Sequence, residues 1–147
     1  MAVTDDQIAV LRSLLAADFE THHRLTDHLD KTNEWDDYPA LVAAAFYEGA
    51  HRRFGKTFAR SEIIQFVADA RARFDHTGGG LDANVAERLI VAALEDDALD
   101  GVDDQTLAQT QIVLLGALIF DEGLDEAGLD KFMTDARELA DEWIAGE

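Results

Sequence analysis

The sequence predicts an all-α protein, a compact bundle or orthogonal array of about six helices in a single domain over residues 1–147, and three observations carry that prediction. Ala, Leu, Arg, Glu and Gln dominate runs whose apolar residues recur every three or four positions, the period of a helix with one buried face. The alternating β-branched stretches that mark half-buried strands are nearly absent. A single Pro, Pro39, interrupts the whole chain. Hydrophobic residues make up 48% of the sequence, enough to fill a core, so the formal net charge of −19 does not signal disorder.

The first helix has the clearest start. Thr4 can accept from the third backbone amide while Gln7 reaches back, Val3 and Ile8 occupy the staple positions, and Asp5 and Asp6 suit the positive end of the helix dipole. Ile8, Leu11, Leu15, Phe19, Leu25 and Leu29 then form one stripe, which predicts a helix from about residue 5 to about residue 30. A polar loop over 30–38 comes next, and Pro39 opens a second, central helix over 39–54. Ser61 caps a third helix with Ile63, Phe66, Val67, Ala70 and Phe74 on one side, ended by His76-Thr-Gly-Gly-Gly. Asp82 caps a fourth over 83–95. Asp103 or Asp104 starts a fifth, whose Ile112–Phe120 run is a core segment far short of the roughly 20 residues a membrane span needs. The last helix, 125–145, places Leu129, Phe132, Met133, Ala136, Leu139, Ala140 and Trp143 on one face.

Two Glu-x-x-His motifs are the main candidates for chemistry: Glu20 with His23, and Glu48 with His51. Spacing of i, i+3 points both side chains the same way, as in helical bundles that hold iron or manganese. A turn centred near residue 35 sets Glu20 level with His51 and His23 with Glu48. Against a metal site, such bundles need a further Glu from each of two other helices, for which Glu62, Glu87 and Glu95 are the available donors, and Glu48 and His51 fall in the most polar sector of their helix. Asp18 and His22, four residues apart inside the apolar stripe, form a candidate buried polar pair in which the carboxylate raises the imidazole pKa. Other motifs fail at informative positions. The acidic loop from Asp96 to Leu107 lacks the bidentate Glu of a calcium loop, and Gly78-Gly-Gly80 is not followed by the Lys of a phosphate loop. The only serines, Ser13 and Ser61, sit in a helix and at a cap, so neither is a nucleophile at a sharp turn.

Charge is unevenly spread. From Glu95 to Glu147, 16 acids meet only Lys131 and Arg137. Between Gly49 and Arg73 the bases Arg52, Arg53, Lys56, Arg60, Arg71 and Arg73 outnumber Glu62 and Asp69, forming a candidate docking patch. The overall negative charge repels phosphate backbones and anionic lipid, so neither nucleic acid nor a membrane is the expected partner. The absence of Cys excludes disulfides and thiolate chemistry, and the acidic start, without a basic and apolar leader, makes the cytoplasm the expected location. Together these features predict a soluble, non-catalytic protein-binding or regulatory module without a cofactor, partnered by another protein or by itself. Trp35, Tyr38 and Trp143 are its first candidate surface aromatics. The alternative is a metal-dependent or acid-base enzyme built on Glu20, His22, His23, Glu48 and His51 around a divalent ion.

Overall fold

A computed structural model describes residues 3–55, 58–74, 81–95 and 101–146, the side chain of Phe74 excepted. Every regular element among them is a helix: α1 (Asp5–Leu15), α2 (Phe19–Thr32), α3 (Tyr38–Phe54), α4 (Arg60–Phe74), α5 (Ala83–Glu95), α6 (Asp104–Glu122) and α7 (Glu126–Ala145). The protein is all-α, with seven helices among the described residues where the sequence predicts about six. The difference lies in one place, residues 16–18, where the expected long first helix is two helices.

That break has a defined geometry. Asp18 donates its N–H to the Ser13 carbonyl at 3.0 Å, and Ala17 donates to Leu14 at 3.1 Å. This 6→1 and 5→2 pattern ends a helix through a left-handed residue, here Ala17 at φ 58°. Gly usually fills that position, because a Cβ there crowds the following carbonyl and costs about 1 kcal/mol or more. A new helix cap and a buried apolar contact offset the strain. Asp18 caps α2 by accepting from the Thr21 amide at 3.3 Å, and the reversal lets α2 fold back on α1, burying Val10, Leu11 and Leu29 completely. An unbroken helix of that length would run about 40 Å, more than a small domain can cover.

Four other helix starts obey the local chemistry of their sequences, whereas α4 begins at Arg60 and so holds the expected cap, Ser61, inside its first turn. Thr4 and Gln7 form the reciprocal capping box, at 3.1 and 3.0 Å. Asp82 accepts from Asn84 and Val85, Asp103 from Thr106, and Asp125 from Gly128. Each places a carboxylate at the positive end of a helix, satisfying amides that lack an intrahelical partner. Hydrogen bonds from Thr106 hold the exposed Asp103 carboxyl below its ordinary pKa.

Packing divides the chain into two compact units, with boundaries inside α3 and between α6 and α7. The first unit, Met1–Glu48 and Gly123–Glu147, packs α1 against α2 and α7. Val10, Leu11, Leu41, Phe46, Phe132 and Ala136 fill its core, each at most 2% exposed. Polar straps close it: Val3 donates to Asp141 at 2.9 Å, Arg137 reaches both Asp5 and the Val3 carbonyl, and Arg12 pairs with Asp130. Buried Gln7 also donates from Nε2 to the Glu34 carbonyl at 2.8 Å, tying α1 to the chain after α2.

The second unit, Gly49–Glu122, packs α4, α5 and α6 on one another. Its centre is α6, where Leu114, Leu115, Ala117, Leu118 and Ile119 are all buried, as suits a helix apolar around most of its circumference. At Gly49, α3 comes so close to α6 that a Cβ would lie 3.3 Å from Leu118 Cδ1. Phe54 and Phe66 meet edge to face with centroids 5.7 Å apart. No helix among the described residues is long and apolar enough to cross a membrane.

Candidate functional site

The Glu-x-x-His residues occupy ordinary helical positions. Glu20 and His23 lie exposed on α2, whereas Glu48 and His51 are half-buried on α3. His23 Nε2 is 3.7 Å from Asp27, and His51 Nε2 faces the Ala93 carbonyl at 3.1 Å rather than a carboxylate. Among the described residues no group of three or more His, Asp or Glu is placed to hold a metal ion. Asp96 to Asp100 of the acidic loop, the Gly78–Gly80 run and Lys56 lie outside the described residues.

The Asp18–His22 pair is corrected by the break after α1. Asp18 is exposed and spends its carboxylate on the N-terminus of α2; hydrogen bonds from Thr21 hold its pKa below the ordinary value. His22 turns instead toward α1, where Nδ1 donates to the Val10 carbonyl at 2.9 Å. The Ser13 hydroxyl donates to the same carbonyl at 2.8 Å, with its oxygen 3.4 Å from His22 Nδ1. Both protons thus go to one acceptor, and the ring nitrogen nearest the hydroxyl is a donor. Ser13 and His22 therefore do not form a nucleophile and base. They pin the α1–α2 hairpin.

The five described arginines of the basic segment are all exposed, and two of them pair with acids of their own unit. Arg52 reaches Glu122 at 3.1 Å and Arg73 reaches Asp121 at 2.6 Å. Those two acids sit in the last turn of α6, where the helix dipole is already negative and no base is present in the helix itself. The two arginines supply the missing positive charge. Arg53 lies over the rings of Phe66 and Phe54, at 5.6 and 6.0 Å from their centroids. It forms part of a shallow groove of about 460 Å³ in which Glu62 and Asp69 face it. That mixture of signs gives an anion no preference. Arg60 and Arg71 are exposed.

The surface aromatics are only partly those expected. Trp35 donates to Asp30 at 2.9 Å and meets Tyr38 edge to face at 5.0 Å. Tyr38 is mostly buried, and burial pushes its phenol up to about 12. Trp143 is 39% exposed and stacks edge to face on Tyr47 at 5.6 Å. Two apolar residues read as core are instead outside: Phe19 is 64% exposed and Phe120 is 65% exposed. Phe120 lies under the Arg73 guanidinium, 5.5 Å from ring centroid to Cζ, beside the Arg73–Asp121 pair. Its one sequence signal is its place at the end of the apolar run, immediately before Asp121 and Glu122. Neither a family model, nor a curated protein, nor a solved structure matches the chain.

Proposed function

We propose that the protein is a non-catalytic protein-binding or regulatory module and that Phe120 is its leading contact residue. The observation that carries this reading is the setting of Phe120: a large ring, 65% exposed, covered on one side by Arg73 and flanked by two ion pairs. Aromatic and arginine side chains dominate the binding energy of protein interfaces. A ring already held in place by its neighbours loses little freedom when a partner covers it. A protein partner also suits the chain's charge, since a net −19 repels polyanions.

The experiment compares the wild type with Phe120→Asp in pull-downs from lysate and in light scattering, with circular dichroism to check that helix content is kept. Loss of a stoichiometric partner, or of self-association, on this one exposed substitution is the expected result. A strictly monomeric protein whose retained proteins are the same in both forms would count decisively against the reading.

A further inference from the structure

The outward side of α2 carries four charges at i, i+4, i+7 and i+11, namely Glu20, Arg24, Asp27 and Lys31, all exposed. That spacing forms a straight stripe of alternating sign about 17 Å long, opposite the side that Leu29 buries against α1. The order of the charges suits pairing within the helix, Glu20 to Arg24 and Asp27 to Lys31. Among the described residues neither pair closes; around the stripe, His23 lies 3.7 Å from Asp27, His28 lies 3.3 Å from Asp6 of α1, and Arg24 acts on the Asp18 carboxylate. The long side chains stand apart, leaving a furrow of about 710 Å³ between them. Furrows of this kind receive the side-chain ridge of another helix.

We propose that α2 is a self-association helix, on which a second copy of this chain docks through its own α2 in antiparallel orientation. The charge sequence selects that occupant. A two-fold axis passing between Leu25 and Thr26 sets Glu20 against Lys31 of the second copy and Arg24 against Asp27 of the second copy. Symmetry repeats both pairs, so all four charges of each helix meet an opposite charge. The spacing of the stripe is that of the facing positions in paired helices, where antiparallel order matches them in this way. A parallel arrangement would set each charge against its own copy and repel. The stripe is thus complementary to itself in one orientation only. It uses no residue of the Phe120 surface and does not rest on that reading. The contact is polar and small, so association is weak and reversible.

Sedimentation over a concentration series tests this in the full chain at about 0.15 M ionic strength, where a Debye length of about 8 Å screens remote acids more than adjacent pairs. The variants are Arg24→Asp and Asp27→Arg, both at exposed positions, with helix content checked by circular dichroism. Each variant alone is expected to weaken self-association at least about tenfold, because each sets like charges opposite one another twice. The equimolar mixture is expected to recover wild-type association, since each layer again joins an acid to a base. The pair also separates local pairing from overall charge. Arg24→Asp makes the chain more acidic and Asp27→Arg less so, so general repulsion moves the two in opposite directions. Three outcomes overturn the proposal: a wild-type chain that sediments as a monomer throughout, self-association unchanged in the variants, or a mixture no stronger than its components. The second of these leaves self-association through another surface intact and refutes only the α2 assignment.

Discussion

Ala17 stands at φ 58° between α1 and α2, and substituting Gly there measures the cost of the reversal directly. An L-residue in the left-handed region loses about 1–2 kcal/mol relative to right-handed geometry, and Gly does not. Gly also gives the unfolded chain more freedom, which takes back about 0.5–1 kcal/mol. The net expectation for Ala17→Gly is a gain of about 0.5–1 kcal/mol, a rise in Tm of about 2–3 °C for a chain of this size. Ala16, one residue earlier, has right-handed dihedrals of φ −79° and ψ −2°. Ala16→Gly has no strain to relieve, so it should cost about 0.5–1 kcal/mol. Urea unfolding followed by circular dichroism gives both midpoints, and unchanged m-values keep the comparison to the folded state. In a continuous helix over 5–30, both substitutions would destabilise equally. Equal losses at Ala16 and Ala17 would therefore refute the break, and opposite signs would locate it.

Burial raises the Tyr38 phenol from 10 to about 12, so its contribution to stability is complete below about pH 10 and is lost as pH rises through about 12. The linkage amounts to about 2–3 kcal/mol; ultraviolet titration of native Tyr47→Phe protein should show no Tyr38 ionisation near pH 10, and ionisation there would contradict the burial. Thr26 Oγ1 is buried without a hydrogen-bond partner among the described residues, so Thr26→Val, which keeps the branched shape, should stabilise by about 1 kcal/mol in urea unfolding. A loss instead would mean the hydroxyl is bonded. Gln7 both caps α1 and donates to the Glu34 carbonyl; Gln7→Ala should cost about 2 kcal/mol, and Gln7→Glu, which keeps the cap acceptor but cannot donate to that carbonyl, should recover only part of it. Equal stability of the Ala and Glu variants would assign the whole effect to the carbonyl contact.

Most helix starts were legible because their chemistry is local. Thr4, Asp82, Asp103 and Asp125 cap helices with oxygens that reach amides only two or three residues away. Pro39 falls in the first turn of α3, the one part of a helix where its missing N–H is harmless. The seam between α1 and α2 was not legible, because Leu-Leu-Ala-Ala contains neither Gly nor Pro and every residue in it favours a helix. The misplaced Asp18–His22 pair had the same cause. A helical wheel assumes one axis, and a single left-handed residue re-aims everything after it, carrying Asp18 and Phe19 out of the stripe and turning His22 onto the Val10 carbonyl.

For the basic segment, composition located the arginines but not their use. Arg73 lies 48 residues from Asp121, and nothing in either neighbourhood specifies the other. Chain composition and periodicity determined that the protein is all-helical, where most helices begin, and which residues are apolar enough to fill a core. These are properties of a few neighbouring residues and the rotation per residue. Tertiary structure decided where the first helix breaks, which aromatics stay outside, and which charges cancel within the molecule. Each of those is set by what a side chain meets across the fold, and burial against a partner outweighs the small local preferences that a sequence displays.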